Sequence, residues 1–418
     1  MKRLKIIADS KIPYLKGILE PYARISYYPP QEITADKVHD ADILIIRTRT
    51  RCDKQLLGNS RCRFIGTATI GYDHIDTGYC QEHGITWQNA PGCNASSVGQ
   101  YILSSLLLLS RHTGRSLQDM TIGIVGVGHV GSIVAKYCRI MGMKVLLNDP
   151  PRARKEGEKT FVPLSEIAKE CDIITFHTPL ILSGTDKTWH LADEKFLASL
   201  AKRPVIINSS RGEVTDNHAL LHALDTRLIS EVILDCWEHE PDINLELLTK
   251  AFIATPHIAG YSADGKSTAT RMIVQAIGEK TGISIDTSAI KPPPPVYPDL
   301  SLSGTQALAD AVIYTYNPNT ESQKLKDHPE LFEDFRNNYP LRREFNAYNI
   351  VHAPDHIKEK LLAAHRAGIK KVLLPKDCEA QLDEIPQNVK DQMEFVLVKH
   401  LDEVLEHALV KDGDKNED

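Results

Sequence analysis

Thr121-Ile-Gly-Ile-Val-Gly126-Val-Gly128-His-Val-Gly131 reads as a strand, a tight turn and the first turn of a helix. Thr121–Val125 is a short apolar, β-branched run. Three glycines follow at the spacing G-x-G-x-x-G. Beyond them Val130, Ile133, Val134, Tyr137 and Met141 recur at helical spacing. Gly126 permits the turn, Gly128 lets the backbone approach a pyrophosphate, and Gly131 lets the helix pack on the strand. The start of that helix, at His129 and Val130, presents free N–H groups and a positive dipole end to an anion. Asp149 closes the next strand. A carboxylate there accepts hydrogen bonds from ribose hydroxyls and repels a 2′-phosphate, so the cofactor is read as NAD rather than NADP. Arg152 and Arg154 stand near enough to soften that preference. The competing reading is a glycine-rich turn in another α/β protein, and strand, helix and acid together weigh against it.

Working outward, apolar runs continue the pattern at Lys144–Asn148, Ile173–Phe176, Val205–Asn208, Val232–Leu234 and Phe252–Thr255. Near-continuous apolar strands are expected where helices cover both faces of a parallel sheet. An earlier alternating series reads as strands at Leu4–Ala8, Ile25–Tyr28, Ile43–Arg47, Phe64–Thr67 and Ile85–Gln88. A helix is predicted from about Ser96 to about Arg111, capped by Asn94 or Ser96. The fold class is therefore α/β, with two parallel-sheet domains. After Ser284 the composition shifts, and Lys291–Pro298 is a proline-rich linker. Polar helical segments follow to about Asn349. A separate helix–strand series runs from Ile357–Ala367 through Lys371–Pro375 and Glu394–Lys399 to Leu401–Leu409, and a charged end, Lys411–Asp418, is expected to fray.

Composition narrows the function. With 418 residues the chain holds about two to four domains. A net charge of −6, from 49 basic and 55 acidic residues, gives no footprint for nucleic acid. The longest apolar run, Tyr101–Leu109, is far short of the roughly 18 residues a membrane span needs. Asp9 interrupts the N-terminus before a secretory h-region develops. Eight cysteines without a C-x-x-C pair suit reduced thiols in a cytoplasmic protein, and the 17 histidines show no metal-ligand spacing, so no metal is expected.

Three residues at strand ends carry chemistry: Arg211 in Asn208-Ser-Ser-Arg-Gly212, Glu240 in Asp235-Cys-Trp-Glu-His-Glu-Pro241, and His257 in Thr255-Pro-His-Ile-Ala-Gly-Tyr261. Together they suit oxidation of a 2-hydroxy acid. The histidine takes the hydroxyl proton as hydride leaves. The glutamate orients the imidazole and stabilises its cation. The arginine fork grips the substrate carboxylate. Taken singly, each has a plainer reading as a structural histidine, a solvated acid or a surface ion pair. Glu238 is the rival acid. Arg47, Arg49 and Arg51 form an i, i+2, i+4 row that faces one side if extended and that suits a phosphate, with Arg47 first among them.

These stretches, with Phe64-Ile-Gly-Thr-Ala-Thr-Ile-Gly-Tyr-Asp-His-Ile-Asp76, Phe176-His-Thr-Pro-Leu180, His190-Leu-Ala-Asp-Glu-Lys195 and Tyr339-Pro-Leu-Arg-Arg-Glu344, resemble the D-isomer-specific 2-hydroxyacid dehydrogenases over residues 1–350. The likeness is greatest to members acting on a phosphorylated four-carbon acid in pyridoxal phosphate biosynthesis. The resemblance implies NAD-dependent oxidation of 4-phospho-D-erythronate to 2-oxo-3-hydroxy-4-phosphobutanoate. Arg211, Glu240 and His257 fall on the catalytic residues, the acid being Glu240 by its distance from the strand-end Asp235. Asp149, Thr178, Ser209, Ser210, Asp235 and Gly260 fall on cofactor contacts. Thr48, Thr69 and Tyr261 fall on substrate contacts. His129 stands where the family often has Asn. The implied architecture is a flavodoxin-like substrate domain, 1–92 with 265–285, into which a Rossmann domain, 93–264, is inserted. The cleft between them closes by a hinge. A small α+β domain, 286–352, implies a homodimer. The alternatives are another D-2-hydroxyacid dehydrogenase, acting on 3-phosphoglycerate, glycerate or lactate, and a non-catalytic NAD-sensing protein.

Residues 353–418 form an extra α/β tail. Ile357–Ile369, Val372–Pro375, Glu384–Val389 and His400–Leu409 resemble a C-terminal fragment of Lon-type proteases, with Lys358 on the dyad lysine and Asp355-His356 where Gly-Gly is usual. The serine segment and a Walker A motif are absent, and a lysine with no serine to activate has no acyl-transfer chemistry. The tail is read as a fused remnant or an accident of the join near His352, where the dehydrogenase part is expected to be shortened. No peptidase activity is expected.

Overall fold

The computed structural model describes residues 3–301, 307–351 and 357–407. The join near His352, the Asp355-His356 pair, the side chain of Lys358 and the end Lys411–Asp418 lie outside the described residues. The chain divides into two compact units, Met1–Ser97 with Gly260–Pro293 and Val98–Ala259 with Pro294–Asp418.

The first unit holds five parallel strands, β1 (Leu4–Asp9), β2 (Ala23–Tyr28), β3 (Ile43–Ile46), β4 (Phe64–Thr67) and β5 (Thr86–Gln88), in the order β2-β1-β3-β4-β5. That is the flavodoxin-like order. Successive side chains of a strand face opposite ways. Ile6, Ala8, Ile43 and Ile45 therefore pack with Ile273, Val274 and Ile277 of the helix Ala263–Thr281. Ile7, Leu44 and Ile46 pack on the other face with Leu56, Leu57 and Cys80. A Cβ on Gly66 would stand 2.4 Å from Ile273 Cγ2, so only glycine lets the helix lie this close to β4.

In the second unit the parallel strands are β6 (Thr121–Val125), β7 (Lys144–Asn148), β8 (Ile173–Phe176), β9 (Val205–Asn208), β10 (Glu231–Leu234) and β11 (Ile253–Ala254), ordered β11-β10-β9-β8-β6-β7. The order reverses between β6 and β8, and ligands of open parallel sheets bind at the carboxyl ends beside such a switch. The last strand is shorter than the predicted Phe252–Thr255. Phe252 N and Thr255 N still donate to Val232 O and Leu234 O, and Pro256, lacking an N–H, ends the ladder. The helix Ala95–Thr113 contains Ser96, so of the two residues expected as its cap only Asn94 precedes it.

No regular element interrupts the proline-rich stretch before β12 (Asp299–Ser301), which pairs with β13 (Asn349–Val351). Helices Ala307–Thr315, Pro318–Asp327 and Phe332–Asn337 lie between them. Val312, Tyr316, Phe345, Tyr348 and Ile350 join the core that holds Val134, Tyr137 and Cys138 of the glycine-loop helix, His129–Ile140. The tail forms the parallel pair β14 (Lys371–Pro375) and β15 (Glu394–Val398), with its own core of Leu361, Leu374, Cys378, Ile385, Val389 and Met393. Its last helix, Leu401–His407, is docked elsewhere. Val398, Leu401, Val404 and Leu405 enter the core of the second unit, and Ile350 N donates to Lys399 O at 2.8 Å.

Candidate active site

The glycine loop leaves β6 into the crevice beside β8. Gly126 has φ +87°, and a Cβ there would press to 2.8 Å on the His177 carbonyl and on Thr178 Cγ2. A Cβ on Gly131 would stand 2.1 Å from Gly126 O, so the helix start is sealed against the turn. At Gly128 nothing lies within 4 Å of that position, which leaves the backbone open to a ligand. His129 is exposed at the first turn of the helix, and Val130 is half-buried against the core.

Asp149 serves this loop directly. Its Oδ2 accepts from Val127 N at 2.8 Å, and its Oδ1 accepts from Arg152 N at 3.1 Å, capping the helix Pro150–Glu156. A carboxylate has acceptor capacity beyond these two bonds. Arg152 is clamped on Glu156 through Nε (2.8 Å) and Nη2 (2.7 Å), and Arg154 pairs with Asp186 at 2.5 Å. The softening expected of these two arginines is thus opposed by their acidic partners.

Across the crevice, buried polar atoms are left over. Thr178 Oγ1, Ser209 Oγ and His177 Nδ1 have no hydrogen-bond partner among the described residues. A buried polar group without a partner costs about 1–3 kcal/mol, which a bound ligand's polar atoms recover. Burial holds His177 down to about 3, so it stays a neutral donor–acceptor. Ser210 is differently placed, since its Oγ donates to Asn208 Oδ1 at 2.9 Å. The cradle at Gly128, the helix start and the unpaired hydroxyls fit a dinucleotide.

The three residues expected to react, Arg211, Glu240 and His257, sit on loops after β9, β10 and β11. Glu240 and His257 meet face to face, His257 Nδ1 donating to Glu240 Oε1 (3.0 Å) and Oε2 (2.9 Å). Glu240 Oε1 also accepts from Trp237 N at 3.0 Å, and Arg336 Nη1 stands 3.6 Å from Oε2. Burial raises the Glu240 carboxyl, but His257, Trp237 N and Arg336 outweigh it and hold it below its usual range. Burial likewise opposes a charged His257, but Cys236 and Glu240 outweigh it and raise the imidazole well above its ordinary value. His257 has φ +55°, a conformation that costs a non-glycine residue about 1–3 kcal/mol. The loop is tied down from below, where buried Asp235 accepts from Thr255 Oγ1 (2.7 Å), Ile258 N (2.7 Å) and Ala259 N (2.9 Å). Burial pushes the Asp235 carboxyl up.

The rival Glu238 is engaged elsewhere. Its Oε1 meets His190 Nε2 at 2.6 Å, and its Oε2 accepts from Asn217 N at 2.8 Å. Arg211 is exposed, with Nη1 donating to Ser210 O at 2.7 Å. Gly212 brings its loop to the Glu240 loop, since a Cβ there would fall 1.9 Å from Trp237 O.

In the first unit, Thr69 Oγ1 lies 2.7 Å from Thr67 Oγ1, which also meets His74 Nε2 at 3.0 Å. Tyr261 lies under Lys266 Nζ, and Gly260 stands against Asn94, where a Cβ would fall 2.1 Å from Nδ2. The arginine row is not extended. β3 ends at Ile46, and Thr50 N donates to Arg47 O, so residues 47–50 turn and the three arginines do not share one side. Arg47 Nε pairs with buried Asp9 at 3.1 Å, Arg51 with Asp53 at 3.2 Å, and Thr48 is exposed in the turn. Reading the sequence missed Asp9, Cys236 and Arg336. Each is separated in the chain from the group it serves or carries no motif.

The NAD-binding domain of the D-isomer specific 2-hydroxyacid dehydrogenases matches residues 107–259. A domain of unknown function matches 293–364, and the C-terminal proteolytic domain of Lon protease matches 350–411. The erythronate-4-phosphate dehydrogenase of Bacteroides thetaiotaomicron is 54% identical over 349 residues, 83% of this chain and 99% of that protein. The one from Porphyromonas gingivalis is 44% identical, over 84% of this chain and 96% of that protein. The one from Escherichia coli is 39% identical, over 83% and 94%. With 99% of the Bacteroides protein matched, the expected shortening at the join is not found against that relative. Among solved structures, a D-lactate dehydrogenase from Aquifex aeolicus, complexed with NAD and lactic acid, has a TM-score of 0.54 at 24% identity. It covers 67% of this chain and 96% of that one, and it shares the fold.

Proposed function

The chain belongs to the erythronate-4-phosphate dehydrogenases, within the D-isomer-specific 2-hydroxyacid dehydrogenases, and from that premise we propose how its own residues oxidise 4-phospho-D-erythronate to (R)-3-hydroxy-2-oxo-4-phosphobutanoate. Arg211 grips the C1 carboxylate and draws electron density from the forming carbonyl. His257 takes the C2 hydroxyl proton at Nε2. Its Nδ1–H is committed to Glu240, which fixes the tautomer and leaves the Nε2 lone pair for the substrate. Bound there, NAD would supply the hydride acceptor, so that C2–H and O–H break as C2=O forms. The Gly126–Gly131 turn, His129 and Val130 at the helix start, Asp149, Thr178, Ser209, Ser210, Asp235 and Gly260 hold the dinucleotide. Thr48, Thr69, Tyr261 and Arg47 serve the substrate, with the 47–50 turn near its phosphate. The observation that carries the reading is the paired contact of Glu240 with His257.

Residues 1–92 with 265–285 act as the substrate domain, 93–264 as the cofactor domain, 286–352 as a homodimer contact and 353–418 as a fused fragment without peptidase activity. Exposed Val296, Tyr297, Tyr314 and Leu341 in the third segment support the dimer. The enzyme works in the cytoplasm on a free small molecule. Among the described residues no helix is long and apolar enough to cross a membrane.

The test is NADH formation from 4-phospho-D-erythronate, beside 3-phosphoglycerate, glycerate and lactate, each with NAD and NADP. Selective turnover with NAD, reduced about 100- to 10,000-fold in His257→Ala, is expected. Activity on another acid alone would move the substrate, and NAD binding without turnover on any acid would favour a sensor.

A further inference from the structure

Cys236 is a buried thiol that neither transfers the proton nor meets the hydride in the proposed oxidation. It follows β10, beside Asp235, and is wholly enclosed. Its Sγ, a Glu240 carboxylate oxygen and a His257 ring nitrogen all lie within 4.8 Å of one another. Nothing in the spacing of these residues forms a zinc motif. The loops after β10 and β11 bring them together.

We propose that Cys236, Glu240 and His257 form an inhibitory site for a thiophilic divalent cation of the Zn²⁺ class. The donor set of one sulfur, one imidazole nitrogen and one carboxylate oxygen is what such an ion selects, while Mg²⁺ and Ca²⁺ prefer oxygen alone. Bonds of about 2.0–2.3 Å ask donors to stand about 3–4 Å apart, so shifts of about an ångström complete the site. Three protein ligands leave a fourth position for water. The step is a ligand exchange without redox chemistry. The cation forms bonds to Cys236 Sγ, His257 Nδ1 and a Glu240 oxygen. The thiol proton leaves to solvent, and the neutral imidazole exchanges its proton from Nδ1 to Nε2 through solvent.

Inhibition follows from the tautomer. A neutral imidazole that gives Nδ1 to a metal carries its proton on Nε2, so it donates where the oxidation needs an acceptor. The cation would also take the Glu240 carboxylate away from its role as orienter. Metal binding rests on the geometry alone, whereas inhibition rests on the reading of His257 as the base.

The full chain, stripped with a chelator, is to be titrated with ZnCl₂ while NADH formation from 4-phospho-D-erythronate is followed. Inhibition reversed by chelator is expected, and Cys236→Val should lose zinc sensitivity by about tenfold or more, read as the ratio of its own turnover with and without zinc. In parallel CoCl₂ is added and the sulfur-to-cobalt charge-transfer absorption is read. The band should appear in the parent chain and vanish in Cys236→Val. Should that variant not fold, loss of the band in Cys236→Ser serves instead. Absence of the band, or equal inhibition with and without the Cys236 sulfur, overturns the site. A chain that gains the band but turns over no hydroxy acid keeps the metal site and overturns the dehydrogenase reading instead.

Discussion

The pair Glu240–His257 is tuned by what surrounds it, and the tuning has a sign. With His257 as the proposed base, oxidation would need it unprotonated, and the imidazole is held well above its ordinary value, so kcat/KM for oxidation should climb with pH through a raised apparent pKa. Reduction of the 2-oxo acid needs the protonated form and should fall through the same limb. In Glu240→Gln the carboxylate's attraction is gone, so the limb should move to lower pH while oxidation slows about 100- to 10,000-fold. Arg336 is placed to act through Glu240 as a positioning residue. Its Nη1, 3.6 Å from Oε2, partly neutralises the carboxylate that stabilises the imidazolium. Arg336→Gln should therefore push the limb further up, and Arg336→Lys should restore it. A pH–rate profile unmoved by either change would deny Arg336 that role.

At the scale of elements, glycines divide into those that let backbone meet backbone and those that leave room for a ligand. In Gly131→Ala the new Cβ would stand 2.1 Å from Gly126 O, a main-chain atom that cannot swing aside. Overpacking of this kind costs about 1–3 kcal/mol and should lower the melting temperature together with NAD affinity. Gly128→Ala meets no protein atom within 4 Å, so it should weaken NAD in a fluorescence titration while the melting temperature stays put. Equal melting losses in the two variants would break the distinction. The same contrast explains what is legible in the sequence. Strands such as Ile173–Phe176 and Val205–Asn208 read cleanly because both of their faces are buried, and the glycine loop reads because each glycine meets a separate steric demand. The Arg47–Arg51 row misleads because its reading assumes extended chain, and the turn after Ile46 depends on local bonds such as Thr50 N to Arg47 O. Cys236 and Arg336 are illegible because one is a lone thiol outside any cysteine or histidine ligand spacing and the other reaches Glu240 from far along the chain.

At the scale of the whole molecule, the Lon-like tail poses a choice between a passenger and a part. Relatives such as the Bacteroides thetaiotaomicron enzyme align over 349 residues, so the dehydrogenase chemistry does not call for a tail. Yet the tail's last strand and helix bury Val398, Leu401, Val404 and Leu405 in the core shared with Tyr137, Phe345, Tyr348 and Ile350, and Lys136 of the glycine-loop helix pairs with Glu406 at 3.0 Å. Exposing such side chains again removes hydrophobic stabilisation at about 25 cal/mol per Å². A chain ending after Val351 should therefore melt at a lower temperature while keeping its turnover below the transition. Leu401→Ala should act locally. A cavity at a buried leucine costs about 2–5 kcal/mol, enough to loosen the docked helix and expose the tail to limited proteolysis before the rest of the chain is cut. Casein should remain uncleaved by the full chain, because a lysine without its serine activates nothing. If the truncated chain melted where the full one does, the contacts of the last helix would carry no stability and the tail would be a passenger. If turnover vanished with the tail under native conditions, the glycine-loop helix would need Leu401–His407 behind it to hold the cofactor site, and the tail would be a part of the enzyme.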